Sequence, residues 1–112
     1  MTKKIYLALP YTGLINESFK AANEIAGELI NKGNYVFSPI SHSHPIWIAG
    51  NKIANHEVWL RQDREFVKWC DEVHVVILGK KGKERIKQSH GVQQELKWAK
   101  EFNKKVKYIK YV

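Results

Sequence analysis

The sequence predicts an α/β fold: a three-layer sandwich on a four- to five-stranded, mainly parallel sheet of the Rossmann or flavodoxin-like type. Three observations lead there. Short apolar runs alternate with helical periods in the order strand, helix, strand, helix, strand, helix, strand. Such alternation implies parallel strands joined by crossover helices. The run Val73 to Leu78, VHVVIL, is almost continuously apolar, as in a strand covered on both faces. Turn and cap residues stand at the joints: Pro10 to Gly13, Gly33, and Ser38-Pro39. The chain has 112 residues, so one domain, 1–112, is expected.

The elements follow in order. Lys4 to Leu9, KIYLAL, reads as a buried first strand. Asn16 offers an N-cap for a helix with Glu17 in its first turn. Phe19, Ala22, Ala26 and Leu29 fall on one face of that helix, with Ile25 and Ile30 beside it, and Gly33 closes it. Tyr35 to Phe37 is a second strand, cut by Ser38-Pro39. An irregular segment carrying His42 and His44 is expected from there to about Asn55. A second helix spans about His56 to Cys70, with Trp59, Asp63, Phe66 and Cys70 on one face. Val73 to Leu78 is the third strand, and a basic loop covers 79–88. The third helix spans about Gly91 to Phe102, with Val92, Leu96, Ala99 and Phe102 inward. The more polar KVKYIKYV closes the chain as an edge strand.

The formal net charge is +8, with lysines gathered in GKKGKERIK and KWAKEFNKKVKYIK. Charge runs usually report a solvated face, no RNA or DNA motif accompanies these, and nucleic acid is not the expected partner. No apolar run approaches the roughly 20 residues that span a bilayer. The lysines and short apolar run of MTKKIYLALPYTG end at Pro10, too early for a signal peptide. The single cysteine, Cys70, excludes an intramolecular disulfide and a cysteine metal cluster. A cytoplasmic protein is the expectation.

In parallel sheets ligands bind beyond the C-terminal strand ends. Those ends here are Pro10-Tyr11-Thr12, Ser38 to Pro45, and Gly79 to Gly91. Two carboxylates stand out. Asp63 lies on the apolar face of its helix, and Glu95 lies among the inward residues of the third. A buried carboxylate needs a partner or a shifted pKa; Arg61, Arg64 and Arg85 are available as partners. Paired carboxylates are also the equipment for breaking glycosidic bonds. Ser89 and the helix start after it can hold an anion or serve only as an N-cap. His42 and His44 sit between Pro39 and Pro45, in FSPISHSHPIW. His56 and Glu57 could add metal ligands, but no zinc motif is present, and neither a metal nor a cofactor is expected. The histidines are expected to line the pocket.

The stretches KIYLALPYT, VFSPISHSHP, VWLRQDREFVKWCDEVHVVIL and SHGVQQELKWA resemble the phage and bacterial DUF1937 family. That family is related to nucleoside 2-deoxyribosyltransferases and 2'-deoxynucleoside 5'-phosphate N-hydrolases. The resemblance covers nearly the whole chain and implies roles at matching positions. Tyr6 would orient the nucleophile, Asp63 would touch the sugar or base, and Glu95 would be the nucleophile. Ser89 would bind phosphate, and Asp71 would be an acidic position before the third strand. Two positions depart from the relatives. Ser18 stands where an arginine is frequent, and GKKGKERIKQ replaces a short Gly-Trp after the third strand.

The sequence therefore predicts an N-glycosidase of (2'-deoxy)nucleoside 5'-monophosphates. The catalytic residues would be Glu95, Asp63 and Tyr6. The substrate would be bound by Ser89, Gly91, His42, His44, Ser38, Pro10, Tyr11 and Asp71. A nucleoside 2-deoxyribosyltransferase or a non-catalytic nucleotide-sequestering protein are the alternatives. A small-molecule nucleotide or nucleoside is the expected partner. A homodimer or higher oligomer is also expected, because Trp47, Trp59 and Trp98 are too many large rings for so small a core to bury.

Overall fold

The computed structural model describes residues 2–50 and 56–111. Its elements run β1 (Lys4–Ala8), α1 (Ile15–Asn31), β2 (Tyr35–Phe37), α2 (Pro39–Ala49), α3 (His56–Trp69), β3 (Glu72–Leu78), α4 (Gly82–Gln88), α5 (His90–Glu101) and β4 (Lys105–Tyr111). The four strands form one sheet in the order β2-β1-β3-β4, and every pairing is parallel. The chain steps from β1 to β2, then returns past β1 to β3. Its direction of travel therefore reverses between β1 and β3, where a crevice opens above the strand ends.

The two sheet faces are covered by different helices. Tyr6, Ala8, Val73 and Val75 pack with Val67 and Cys70 at α3, Ile86 of α4, and Val92, Trp98 and Ala99 of α5. On the other face Leu7, Leu9, Val76 and Leu78 pack with Ala21, Ala22, Ile25 and Ala26 of α1 and Ile40 of α2. β1 and β3 read as apolar runs because both of their faces are covered. At the edge, β4 exposes Lys105, Tyr108 and Lys110, and charge there discourages further pairing.

The ends of α1 show how local signals act. Gly33 adopts φ +96°, its N–H bonds Ile30 O at 2.9 Å, and Asn34 N–H bonds Leu29 O at 3.2 Å. This left-handed cap closes the helix as the sequence predicts. The start does not follow the Asn16 cap. Helix α1 begins at Ile15 behind Leu14, without a side-chain cap. Ser18 is buried, and its hydroxyl donates to the carbonyl of Pro10, bracing the turn after β1. Ile30, expected near the inner face, is exposed.

Two expected loops are helices. The histidine segment forms α2, with Ser38 extended before it and Pro39 in its first turn, where a fixed φ and a missing N–H cost nothing. Its apolar residues show no one-sided period, and Pro45 stands inside it, so neither helix signal was present. The expected continuation to Asn55 lies outside the described residues. The basic segment forms α4, seated on the end of β3. A Cβ on Gly82 would stand 2.6 Å from Ile77 Cγ2 and 2.8 Å from its carbonyl carbon, so this backbone approach requires glycine. Trp98 is buried in the core, while Trp47 and Trp59 are partly exposed.

Below the sheet, at the opposite end from the crevice, Glu72 is buried among bases. Its carboxylate lies 2.9 Å from His74 Nε2, 3.0 Å from Lys3 Nζ and 3.5 Å from Lys107 Nζ. The hydrogen bond with His74, then those partners' charges, hold its pKa down at about 2. A depressed carboxylate stabilises the fold above its ordinary pKa of 4.5 and loses that contribution as pH falls toward 2. Glu72→Gln is expected to cost roughly 2 kcal/mol in urea unfolding at pH 7, allowing for the half-exposed lysines. The gap from the parent should close between about pH 4.5 and 2; a constant gap over that range would contradict the ionic account.

Candidate active site

Tyr6 occupies the middle of β1 and points into the layer between the sheet and α3 and α5, where it is fully buried. A buried phenol needs a hydrogen-bond partner. It has one: the hydroxyl donates to Oε2 of Glu95, from the second turn of α5. Glu95 is itself buried, 6% exposed. Burial raises its pKa to about 8; the Tyr6 hydrogen bond pulls the other way, and the nearby Asp63 adds to the rise. The Tyr6 hydroxyl is pushed well up by burial and by the two carboxylates, so it stays a neutral donor.

Asp63 comes from α3. Burial raises its pKa to about 7, and its Oδ1 is buried without a hydrogen-bond partner among the described residues. None of Arg61, Arg64 and Arg85 forms an ion pair with either carboxylate. Arg64 turns to Glu101, 3.6 Å away, and stacks over Phe102.

Both carboxylates line a cleft of about 820 Å³ above the ends of β1 and β3. That volume is in the range of small-ligand sites. Pro10 and Tyr11 form one wall. The Tyr11 hydroxyl pairs with Nδ1 of His44 on α2, and the imidazole lies 4.7 Å from the ring of Phe19. Ser89 and Gly91 also line the cleft. Ser89 is the N-cap of α5, its Oγ accepting from Val92 N–H at 3.2 Å, which leaves the hydroxyl proton free to donate.

The structure thus gathers Glu95, Asp63, Ser89, Gly91, His44, Pro10 and Tyr11 around one cleft, with Tyr6 behind Glu95. Three expected residues lie elsewhere. His42 is exposed against Phe37, because neighbours two apart on a helix point different ways and α2 turns only His44 inward. Ser38 is buried and pairs with Ser41 at 2.8 Å. Asp71 is at the far end of the sheet, where Oδ2 accepts from Lys4 N–H at 2.9 Å.

The lining also includes residues that were not among the expected site, among them Thr12, Trp47, Trp59, Arg85, Gln88 and His90. Trp59 had a signal, four residues before Asp63 on the same helix face. Trp47, Arg85 and Gln88 owe their position to α2 and α4. Among the described residues, no group of three or more His, Cys, Asp or Glu could hold a metal ion, and no helix is long and apolar enough to cross a membrane.

A family model described as a domain of unknown function, DUF1937, matches residues 3–110. The chain belongs to the DUF1937 family. This DUF1937 protein has no match among curated proteins. Among solved structures it is similar to a 2-deoxyribosyltransferase from the psychrotolerant bacterium Bacillus psychrosaccharolyticus. The two are 24% identical, the match covers 96% of this chain and 72% of that chain, and the TM-score is 0.67. The likeness shows a shared fold.

The raised pKa values in the DUF1937 cleft have a consequence for stability. Folded Glu95 and Asp63 keep their protons to about pH 8 and 7, whereas the unfolded chain releases them near 4.5 and 3.8. Folding therefore weakens as pH rises through that window. The Tm, followed by thermal melts, is expected to fall steadily between pH 5 and 8. Glu95→Gln should flatten part of the decline, and Asp63→Asn with Glu95→Gln most of it. An unaltered slope in the double variant would place the cause elsewhere.

Proposed function

We propose that this protein is an N-glycosidase that cleaves the base–sugar bond of (2'-deoxy)nucleoside 5'-monophosphates with Glu95 as nucleophile. One observation carries the reading: a buried glutamate, held by a tyrosine hydroxyl on one oxygen, shares a nucleotide-sized cleft with a second, half-buried carboxylate whose Oδ1 is shielded from water.

The chemistry follows from the two environments. Tyr6 fixes Glu95 through Oε2, leaving Oε1 to attack the anomeric carbon. As the new C–O bond forms, the C–N bond breaks, and its electron pair leaves with the base. Protonated Asp63 supplies the proton that the departing base needs. Water then adds to the anomeric carbon, Glu95 leaves as carboxylate, and Asp63 takes the proton of the water. A group titrating at about 7 can serve as acid and then as base near neutral pH. The reactive state has one proton on the pair, held by Asp63; because Glu95 titrates higher, this is the less populated of the two one-proton forms, and the rate should trace a bell whose two limbs belong to the coupled carboxylates.

The fold shared with a 2-deoxyribosyltransferase favours a second reading, in which another base takes the place of water. The test is incubation with a panel of deoxy- and ribonucleotides, with and without a second free base, followed by chromatography. Hydrolysis yields free base, and transfer yields an exchanged nucleotide. Glu95→Gln is expected to reduce either product by roughly 10³-fold or more while nucleotide binding survives. Full activity in that variant would exclude Glu95 as nucleophile. Binding without turnover in the parent would leave a sequestering protein.

Self-association belongs to the same proposal. Ile46, Ile48 and Val58 are exposed beside the cleft-lining Trp47 and Trp59, an apolar surface suited to a second copy. Light scattering at tens of micromolar, on the order at which weak pairs separate, should give at least a dimer mass, and a monomer mass would remove the idea.

A further inference from the structure

The segment 79–88 is long and basic, and the chemistry above makes no use of it. Folding sorts its cations. Lys80, Lys81, Lys83 and Lys87 are exposed and stand outside the cleft lining. Arg85 alone of them turns inward, and among the described residues it is the only arginine or lysine that lines the cleft.

Its position is constrained from three sides. Gly82 seats the start of α4 directly on Ile77 at the end of β3. The end of α4 is tied to α5 by Gln93 Nε2, which donates to Ile86 O at 2.9 Å. The guanidinium itself donates through Nη1 to Leu78 O at 3.3 Å. A guanidinium carries five N–H donors in a rigid fork. Its nearest ion-pair partner among the described residues is Glu17, an exposed side chain 4.0 Å away. The charge is thus fixed in place and loosely compensated.

Ser89, four residues on, lines the same cleft, and its hydroxyl proton is free because its oxygen already accepts from Val92 N–H. Among the described ion pairs Arg85 meets Glu17 and neither Glu95 nor Asp63, so its charge is left for a ligand.

We propose that Arg85, presented by α4, is the residue that selects 5'-phosphorylated over unphosphorylated substrates, gripping the phosphate together with the Ser89 hydroxyl. The proposal rests on the nucleotide-glycosidase reading and adds its specificity element. Ser18, near the start of α1, is buried against Pro10 and brings no charge to the cleft. The segment after β3 supplies the cation instead. Charge-assisted, bidentate pairing suits arginine to phosphate.

The test is calorimetric titration in the Glu95→Gln background, which holds nucleotide without consuming it. The ligands are deoxynucleoside 5'-monophosphates and their matching nucleosides. The parent is expected to prefer the monophosphate by roughly 10- to 100-fold, as a charged hydrogen-bond pair supplies. Adding Arg85→Ala should collapse that ratio to within about threefold, with Arg85→Lys intermediate. Lys83→Ala removes an equal charge from the exposed side of the same helix and should leave the ratio intact. A ratio untouched by Arg85→Ala, an equal loss in Lys83→Ala, or no preference in the parent would overturn the assignment. The two proposals fail separately. Equal cleavage of nucleosides and monophosphates by the wild type would leave the glycosidase and remove Arg85's role. An Arg85-dependent ratio without cleavage would do the reverse.

Discussion

The hydrogen bond between Tyr6 and Glu95 is the constraint on which the rest of the molecule depends. A carboxylate with 6% exposure is costly to ionise, and a phenol with none is costly to leave unpaired. Each meets the other's need, across 89 positions of sequence. To bring them together, β1 must lie inside the sheet and α5 must pack against its face. The parallel order β2-β1-β3-β4 provides both. Val92, Trp98 and Ala99 bury α5 on the sheet, so the helix that carries Glu95 is positioned by core packing rather than by its polar end. The proposed nucleophile is thereby placed on a rigid element, the condition for holding a reacting atom in register.

The protein treats buried acids in opposite ways at the two ends of its sheet. Glu72 is ringed by His74, Lys3 and Lys107, and its pKa falls to about 2. Glu95 and Asp63 are given no cation among the described ion pairs, and theirs rise to about 8 and 7. The same side-chain chemistry thus serves cohesion below and, in the proposed reaction, proton transfer above. Stability is given up at the cleft and recovered at the far end, a distribution common where function needs perturbed groups.

The walls of the cleft come from the two segments with the least regular sequence. Helix α2 brings His44 and Trp47 against Tyr11, and α4 brings Arg85 against the end of β3. Both follow strand ends on the side where a parallel sheet leaves its crevice. The scaffold is thus set by β1, β3 and α5, while the helices inserted after β2 and β3 supply much of the cleft lining.

The sequence by itself determined the layered scaffold and its chemical centre. Apolar runs and helical periods report burial directly, so β1, β3, β4 and the long helices were legible, as was the left-handed cap at Gly33. Asp63 and Glu95 were legible for the converse reason: a charge on an apolar face violates the local pattern. What only the tertiary structure decided is everything that lacks a one-sided period. FSPISHSHPIW scatters apolar and polar residues around its whole circumference, and GKKGKERIK is polar nearly all round, so neither announced a helix. Their conformation is settled by contacts distant in sequence, such as Gly82 against Ile77 and Gln93 against Ile86. For the same reason His42 turned out from the cleft and His44 in, Asp71 went to the far end of the sheet, and Arg85 was singled out from its neighbouring lysines. A side chain's direction on a short helix is fixed by the surface that the helix docks on, and that surface exists only once the sheet has formed.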